Sequence, residues 1–200
     1  MPKLLYQGHG SFRVTADDGR VIYVDPNAGT GYDLPADLIL VTHQHSDHNQ
    51  IQKCAQKDDC QIITNNEALY GGSYNDFDID GIVVKAVRAR SIMHNPKKCV
   101  GYIVTIDGVK IYASGDTSKT KQMETFSALK LDYAIFPGAG LLSMGPKEAA
   151  VCARLINAKH NIIIHHSPVV IFDRAKAEKW KAPNKLILEP GQEISLEKAE

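Results

Sequence analysis

Apolar residues along this chain come mostly in short runs separated by turn residues, the pattern of strands rather than of long helices. Ser11–Thr15 and Arg20–Val24 flank Asp17-Asp18-Gly19, and Tyr102–Ile106 and Val109–Ala113 flank Asp107-Gly108. Asp-Gly supplies the positive φ angles of a tight turn, so both pairs are predicted to be hairpins. Leu38–Val41 and Ile162–Ile164 are unbroken apolar runs, as expected for strands covered on both faces. Gln61–Thr64, Ile82–Val87, Tyr133–Phe136 and Lys185–Leu188 complete the predicted strands. Helices are predicted over Asn49–Lys57, Gln122–Leu129, Pro146–Ala158 and Asp173–Lys181. The third is the clearest, because Pro146 suits a first helical turn and Ala149, Ala150, Ala153 and Ile156 recur on one face. Strands first, with helices inserted between the later ones, predict a mixed α/β sandwich.

Composition narrows the functional classes. A chain of 200 residues suits one domain, 1–200, with one core. Lys plus Arg and Asp plus Glu both number 23, so no overall positive field would gather nucleic acid or an anionic membrane. The expected partner is a small molecule, and a homo-oligomer is the default assembly. Cys54, Cys60, Cys99 and Cys152 form no C-x-x-C pair, which argues against a zinc knuckle or a redox dithiol. The N-terminus shows no signal-like apolar stretch and no run approaches the ~20 residues of a membrane span, so a cytoplasmic location is expected.

The chemistry concentrates in Thr42-His43-Gln44-His45-Ser46-Asp47-His48, directly after the apolar run Leu38–Val41. Neutral imidazole and carboxylate are the ligands that borderline divalent metals take. Residues two apart on an extended segment project the same way, so His43 and His45 can grip one ion. Once the chain turns, Asp47 and His48 can address a second. A single histidine in a polar loop needs no function; three with an aspartate at a strand end point to metal.

H-x-H-x-D-H after a buried strand resembles the signature of the metallo-β-lactamase-like superfamily. The likeness extends from Gly8-His9-Gly10-Ser11 through Val24-Asp25-Pro26 to Ser143-Met144-Gly145-Pro146. It is closest to the small bacterial branch that includes ascorbate-6-phosphate lactonase and many uncharacterised metal-dependent hydrolases. The resemblance implies a four-layer αββα sandwich with two divalent metal ions at one edge, zinc first, with manganese or iron as alternatives. It places one ion on His43, His45 and His94, and the other on Asp47, His48 and a C-terminal histidine. Asp116 would bridge them. His166 is preferred to His165 for the last position from the alignment of the preceding apolar run. Asp47 and Asp116 are the implied catalytic carboxylates in the hydrolysis of a small ester, lactone or phosphodiester. Imidazole binds metal only when neutral, so activity is expected to fall below about pH 6. Phe136-Pro137-Gly138-Ala139-Gly140 and Leu141-Leu142 depart from the branch's pattern and would reshape the substrate pocket.

Other residues are candidates of a second kind. Asp25 is read either as orienting a ligand imidazole or as a turn residue before Pro26. His9 is read as structural first and pocket-lining second, and His160 as solvated. Lys97 and Lys98 either hold an anionic substrate group or simply face solvent. No Gly-x-Ser-x-Gly elbow is present, which disfavours a serine hydrolase. Two other functions share the ligand pattern: a di-iron oxidoreductase, against which His45 argues because those relatives resemble H-x-E-x-D, and a non-catalytic metal- or ligand-binding sensor.

Overall fold

The computed structural model describes residues 1–140, 142–167 and 169–198. Two sheets pack face to face. In the first, β1 (Lys3–Gly8), β2 (Ser11–Thr15), β3 (Val21–Val24), β4 (Ala36–Leu40), β5 (Gln56–Ile63) and β13 (Glu193–Ser195) lie in the order β13-β1-β2-β3-β4-β5. In the second, β6 (Asp76–Ile79), β7 (Ile82–Arg88), β8 (Val100–Ile106), β9 (Val109–Ala113), β10 (Tyr133–Pro137), β11 (His160–Ile164) and β12 (Lys185–Leu186) run β12-β11-β10-β9-β8-β7-β6. Each sheet begins as an antiparallel meander and turns parallel, at β3-β4-β5 in one and from β9 to β12 in the other. Both predicted hairpins form, as β2-β3 and β8-β9.

The unbroken apolar runs are explained by layering. Side chains alternate across a strand, so Leu38 and Leu40 enter the core between the sheets while Ile39 and Val41 enter a cluster on the outer face. Ile162 and Ile164 likewise face inward, and Ile163 packs outward beneath helices. That outer layer consists of α2 (Pro146–Ile156), α3 (Arg174–Lys179) and a 3-10 helix over Lys121–Leu129. α2 buries Ala149, Ala150, Ala153 and Ile156, the face read from the sequence.

The helix predicted over Asn49–Lys57 does not form. Ile51–Lys53 make one 3-10 turn and β5 begins at Gln56. The backbone amide of Ala55, which a helix would direct to Ile51 O, donates instead to Tyr32 O, and that of Gln50 is tied to Pro26 O, so the segment is held against a neighbouring loop. The outer face of the first sheet is therefore covered by Tyr32, Leu34 and Ile51 from loop and turn rather than by a long helix. The other helices are a little shorter than expected or 3-10, and β1, β6, β13 and the four-residue α1 (Asn65–Ala68) are additional.

The C-terminal ends of the parallel strands converge at one edge of the sandwich. Asp25 follows β3, the His43 segment follows β4, Asp116 lies beyond β9 and His165 follows β11. Ligand sites in sheets with parallel strands favour this edge because the connecting loops gather there.

Candidate metal centre

Thr42 and His43 sit at the seam between the sheets. His43 forms an isolated antiparallel bridge with Cys99, and Val100 N donates to Thr42 O at 3.0 Å, which brings the loop before β8, and with it His94, against the histidine-rich segment. Three ring nitrogens then converge: His43 Nε2 and His94 Nε2 each lie 3.1 Å from His45 Nδ1. Two nitrogens bound tetrahedrally at 2.0–2.1 Å to one zinc ion would stand roughly 3.3–3.4 Å apart. The second ring nitrogens of His43 and His94 are engaged elsewhere. His43 Nδ1 meets Thr42 Oγ1 at 3.0 Å, and His94 Nδ1 meets Leu142 O at 3.1 Å and Ser91 Oγ at 2.6 Å. Donation from these Nδ1–H groups leaves both Nε2 lone pairs facing the convergence point. Burial, with the neighbouring imidazoles, holds the His43 ring far below its ordinary pKa, and burial also lowers His94.

A second set lies beside the first. Asp47 Oδ2 is 3.6 Å from His165 Nε2 and 4.0 Å from His48 Nε2. These atoms and one from His9 fall within 4.8 Å of one another. Asp116 stands between the two sets. Its Oδ2 is 3.9 Å from His94 Nε2 and 3.5 Å from His165 Nε2, and its Oδ1 is 3.8 Å from His48 Nε2. Among the described residues, His48 Nε2, His165 Nε2 and Asp116 Oδ1 are buried without a hydrogen-bond partner. Buried polar atoms are ordinarily paired, and two imidazole nitrogens and a carboxylate oxygen gathered without a protein partner fit a cation. Burial would lower the His48 pKa, but Asp25 and Asp116 outweigh it and push the ring up to about 9. The rings of His165 and His9 hold the Asp47 carboxyl well below the usual carboxylate range.

Of the seven residues picked from the sequence as ligands, His43, His45, Asp47, His48, His94 and Asp116 are brought together, and His166 is not. His165 takes its place. The backbone at His165 is left-handed (φ 48°), its N–H donates to His9 O and its carbonyl accepts from Gly138 N. This turn at the end of β11 sends the His165 ring into the centre and the His166 ring, wholly buried, edge-on to Phe172. Adjacent histidines after a strand cannot be told apart from the apolar run alone, because the twist that separates them is a tertiary effect. Asp25 occupies the orienting position weighed for it, with Oδ2 at 2.9 Å from His48 Nδ1. His9, read first as structural, enters the second set; its glycine neighbours on both sides were the available signal.

A pocket of about 510 Å³ opens over the first set. Lys97, Lys98 and the amides of Gln44, Asn65 and Asn66 line it with His45, and among the described residues no carboxylate does. Leu142 reaches the site through its backbone carbonyl; Leu141, the other half of the departure noted in the sequence, lies outside the described residues.

Comparison with known proteins agrees with this geometry. The family model for the beta-lactamase superfamily domain matches residues 3–165. A UPF0173 metal-dependent hydrolase of Thermococcus onnurineus is 30% identical over 226 residues, spanning 98% of this chain and 100% of the relative. A solved structure from Parabacteroides distasonis, provisionally assigned as a metal-dependent hydrolase, superposes with a TM-score of 0.74 at 28% identity, covering 93% of this chain and 92% of the other. Igni18, a metallo hydrolase of Ignicoccus hospitalis, shares the fold with a TM-score of 0.74 at 21% identity and 98% coverage of both chains.

Proposed function

The chain belongs to the beta-lactamase superfamily domain family, and on that footing we propose that it is a metal-dependent hydrolase with a dinuclear centre acting on a small ester, lactone or phosphodiester. The observation that carries this reading is Asp116, whose carboxylate approaches His94 Nε2 of the first set at 3.9 Å and His48 Nε2 and His165 Nε2 of the second at 3.8 and 3.5 Å. A carboxylate in that position can serve two cations at once. His43, His45 and His94 would hold one ion and Asp47, His48 and His165 the other, zinc being the first expectation for a His/Asp set and manganese or iron alternatives. Two such ions supply a nucleophile from water at neutral pH and Lewis acidity toward the substrate oxygen.

The chain's own groups supply the rest. Asp25 and Thr42 fix the rings of His48 and His43 from behind, which sets the direction of their lone pairs before any ligand arrives. Asp47 is 37% exposed at its side chain and stands on the solvent side of the set, where it can take a proton from water and return it to the leaving group. The pocket over His45 and His94 has room for a small molecule, and Lys97 and Lys98 can receive an anionic group on it.

Metal content per chain, measured by inductively coupled plasma mass spectrometry on wild type and Asp116→Ala, together with turnover of chromogenic lactones and phosphodiesters, tests the reading. Near two ions in wild type, a clear loss in the variant and metal-dependent turnover are expected. Fewer than one ion in wild type after reconstitution with zinc, manganese or iron would overturn it.

A further inference from the structure

Among groups not assigned to either ion, His9 is tightly constrained. Its ring is buried (6% exposed), although it lies in a loop between two strands. Its backbone is left-handed (φ 54°), a conformation uncommon outside glycine that persists only where the surroundings impose it. The surroundings here are hydrogen bonds. His9 N donates to Ile171 O at 2.9 Å, and His9 O accepts from His165 N at 2.8 Å and from Tyr6 Oη at 3.1 Å. Gly10 lets the same loop pass close to the centre, since a Cβ there would stand 2.8 Å from His48 Cε1.

The held side chain touches the second set twice. His9 Nε2 is 3.1 Å from Asp47 Oδ2, the shortest approach made to that carboxylate, and the His9 and His165 ring centroids are 3.8 Å apart. Asp47 needs such a hold, because its half-buried side chain would otherwise be free to turn toward solvent. Among the described residues His9 makes no approach within 4.0 Å to Asp116, the carboxylate that His48 and His165 both face. Its contacts with the second set are therefore to Asp47 and the His165 ring rather than to the carboxylate between the two sets.

We infer that His9 is a positioning residue: it donates Nε2–H to Asp47 Oδ2 and braces the His165 ring, fixing two groups of the second ion's set without binding that ion. The inference rests on the dinuclear reading. Removing an outer partner of a metal ligand typically costs about 10–100-fold in metal affinity. Zinc titrations of the metal-free protein, followed calorimetrically, are expected to give two ions for wild type and a second ion weakened by about that factor in His9→Phe, with the first unchanged. His9→Gln, whose amide can still donate to Asp47, should recover most of the loss. Nitrogen-15 spectra of zinc-loaded wild type supply a readout that no folding defect can confound, and His9 should show the Nε2–H tautomer. Two equally tight ions in His9→Phe, or a His9 Nε2 without its proton, would overturn the inference while leaving the dinuclear reading intact. Failure of wild type itself to take a second ion would instead remove the reading on which it rests.

Discussion

Asp25 Oδ2 lies 2.9 Å from His48 Nδ1 and accepts Thr42 Oγ1 at 2.7 Å, while Oδ1 accepts Thr42 N at 2.7 Å. One buried carboxylate thus ties the end of β3 to the segment after β4 and orients the His48 ring, with Nδ1–H donated and Nε2 facing Asp116. The turn residue after a strand and the metal centre are one structure.

Asp25→Ala is expected to weaken the second ion by about 10–100-fold. It should also destabilise the metal-free protein by about 1–3 kcal/mol, because Thr42 N is left buried without an acceptor. Zinc titration and urea unfolding of the same preparation check both; an unaltered affinity would mean that Asp25 is only a turn residue.

The choice between the two C-terminal histidines can be made directly. His165→Ala should lose close to one ion per chain by mass spectrometry, whereas His166→Phe should keep the full wild-type content. The opposite pattern would restore the assignment made from the sequence.

His166 also gives a pH prediction. Burial lowers its pKa from 6.5 to about 4, with Asp173 opposing and Lys176 and His165 adding to the shift. The folded state therefore holds it neutral where the unfolded chain would take up a proton. Its contribution is fully present above pH 6.5 and is lost as pH falls from there toward 4, about 3–4 kcal/mol in all at ~1.4 kcal/mol per unit. Among the described residues neither ring nitrogen has a hydrogen-bond partner, so phenylalanine removes the titration and no hydrogen bond seen there. Metal-free His166→Phe should be at least as stable as wild type at pH 7.5, and its advantage should grow at pH 5. Parallel pH dependence in the two proteins would refute the assignment.

Lys97 and Lys98 are tested by charge selectivity. An exposed charge pair at ~4 Å is worth about 1 kcal/mol, so Lys97→Ala combined with Lys98→Ala should raise KM for a carboxylate-tailed ester by about fivefold or more. The KM for its neutral counterpart and kcat for both should stay unchanged. Equal effects on the two substrates would show that the lysines merely face solvent.

The pattern along the chain already contained much of this architecture. The β-rich runs on either side of Asp17-Asp18-Gly19 and of Asp107-Gly108 need only local sterics, and they sufficed to place both hairpins. The unbroken runs in β4 and β11 announced burial on both faces, because strand side chains point both ways and each face required cover. The histidine-rich segment was legible for a similar reason: ligands close in sequence are close in space whatever the rest of the fold does.

What tertiary structure alone decided lies at longer range. Asn49–Lys57 had a helical composition, yet Tyr32 O took the Ala55 amide that a helix would have used. His165 displaced His166 because a left-handed residue after β11, fixed by His9 O and Gly138 N, set which ring turns inward. His9 lies 38 residues before Asp47 and reaches it only when the β1-β2 loop folds over the ends of β3 and β4. Local propensity cannot encode such placements; they follow from which strand ends the two sheets bring to one edge.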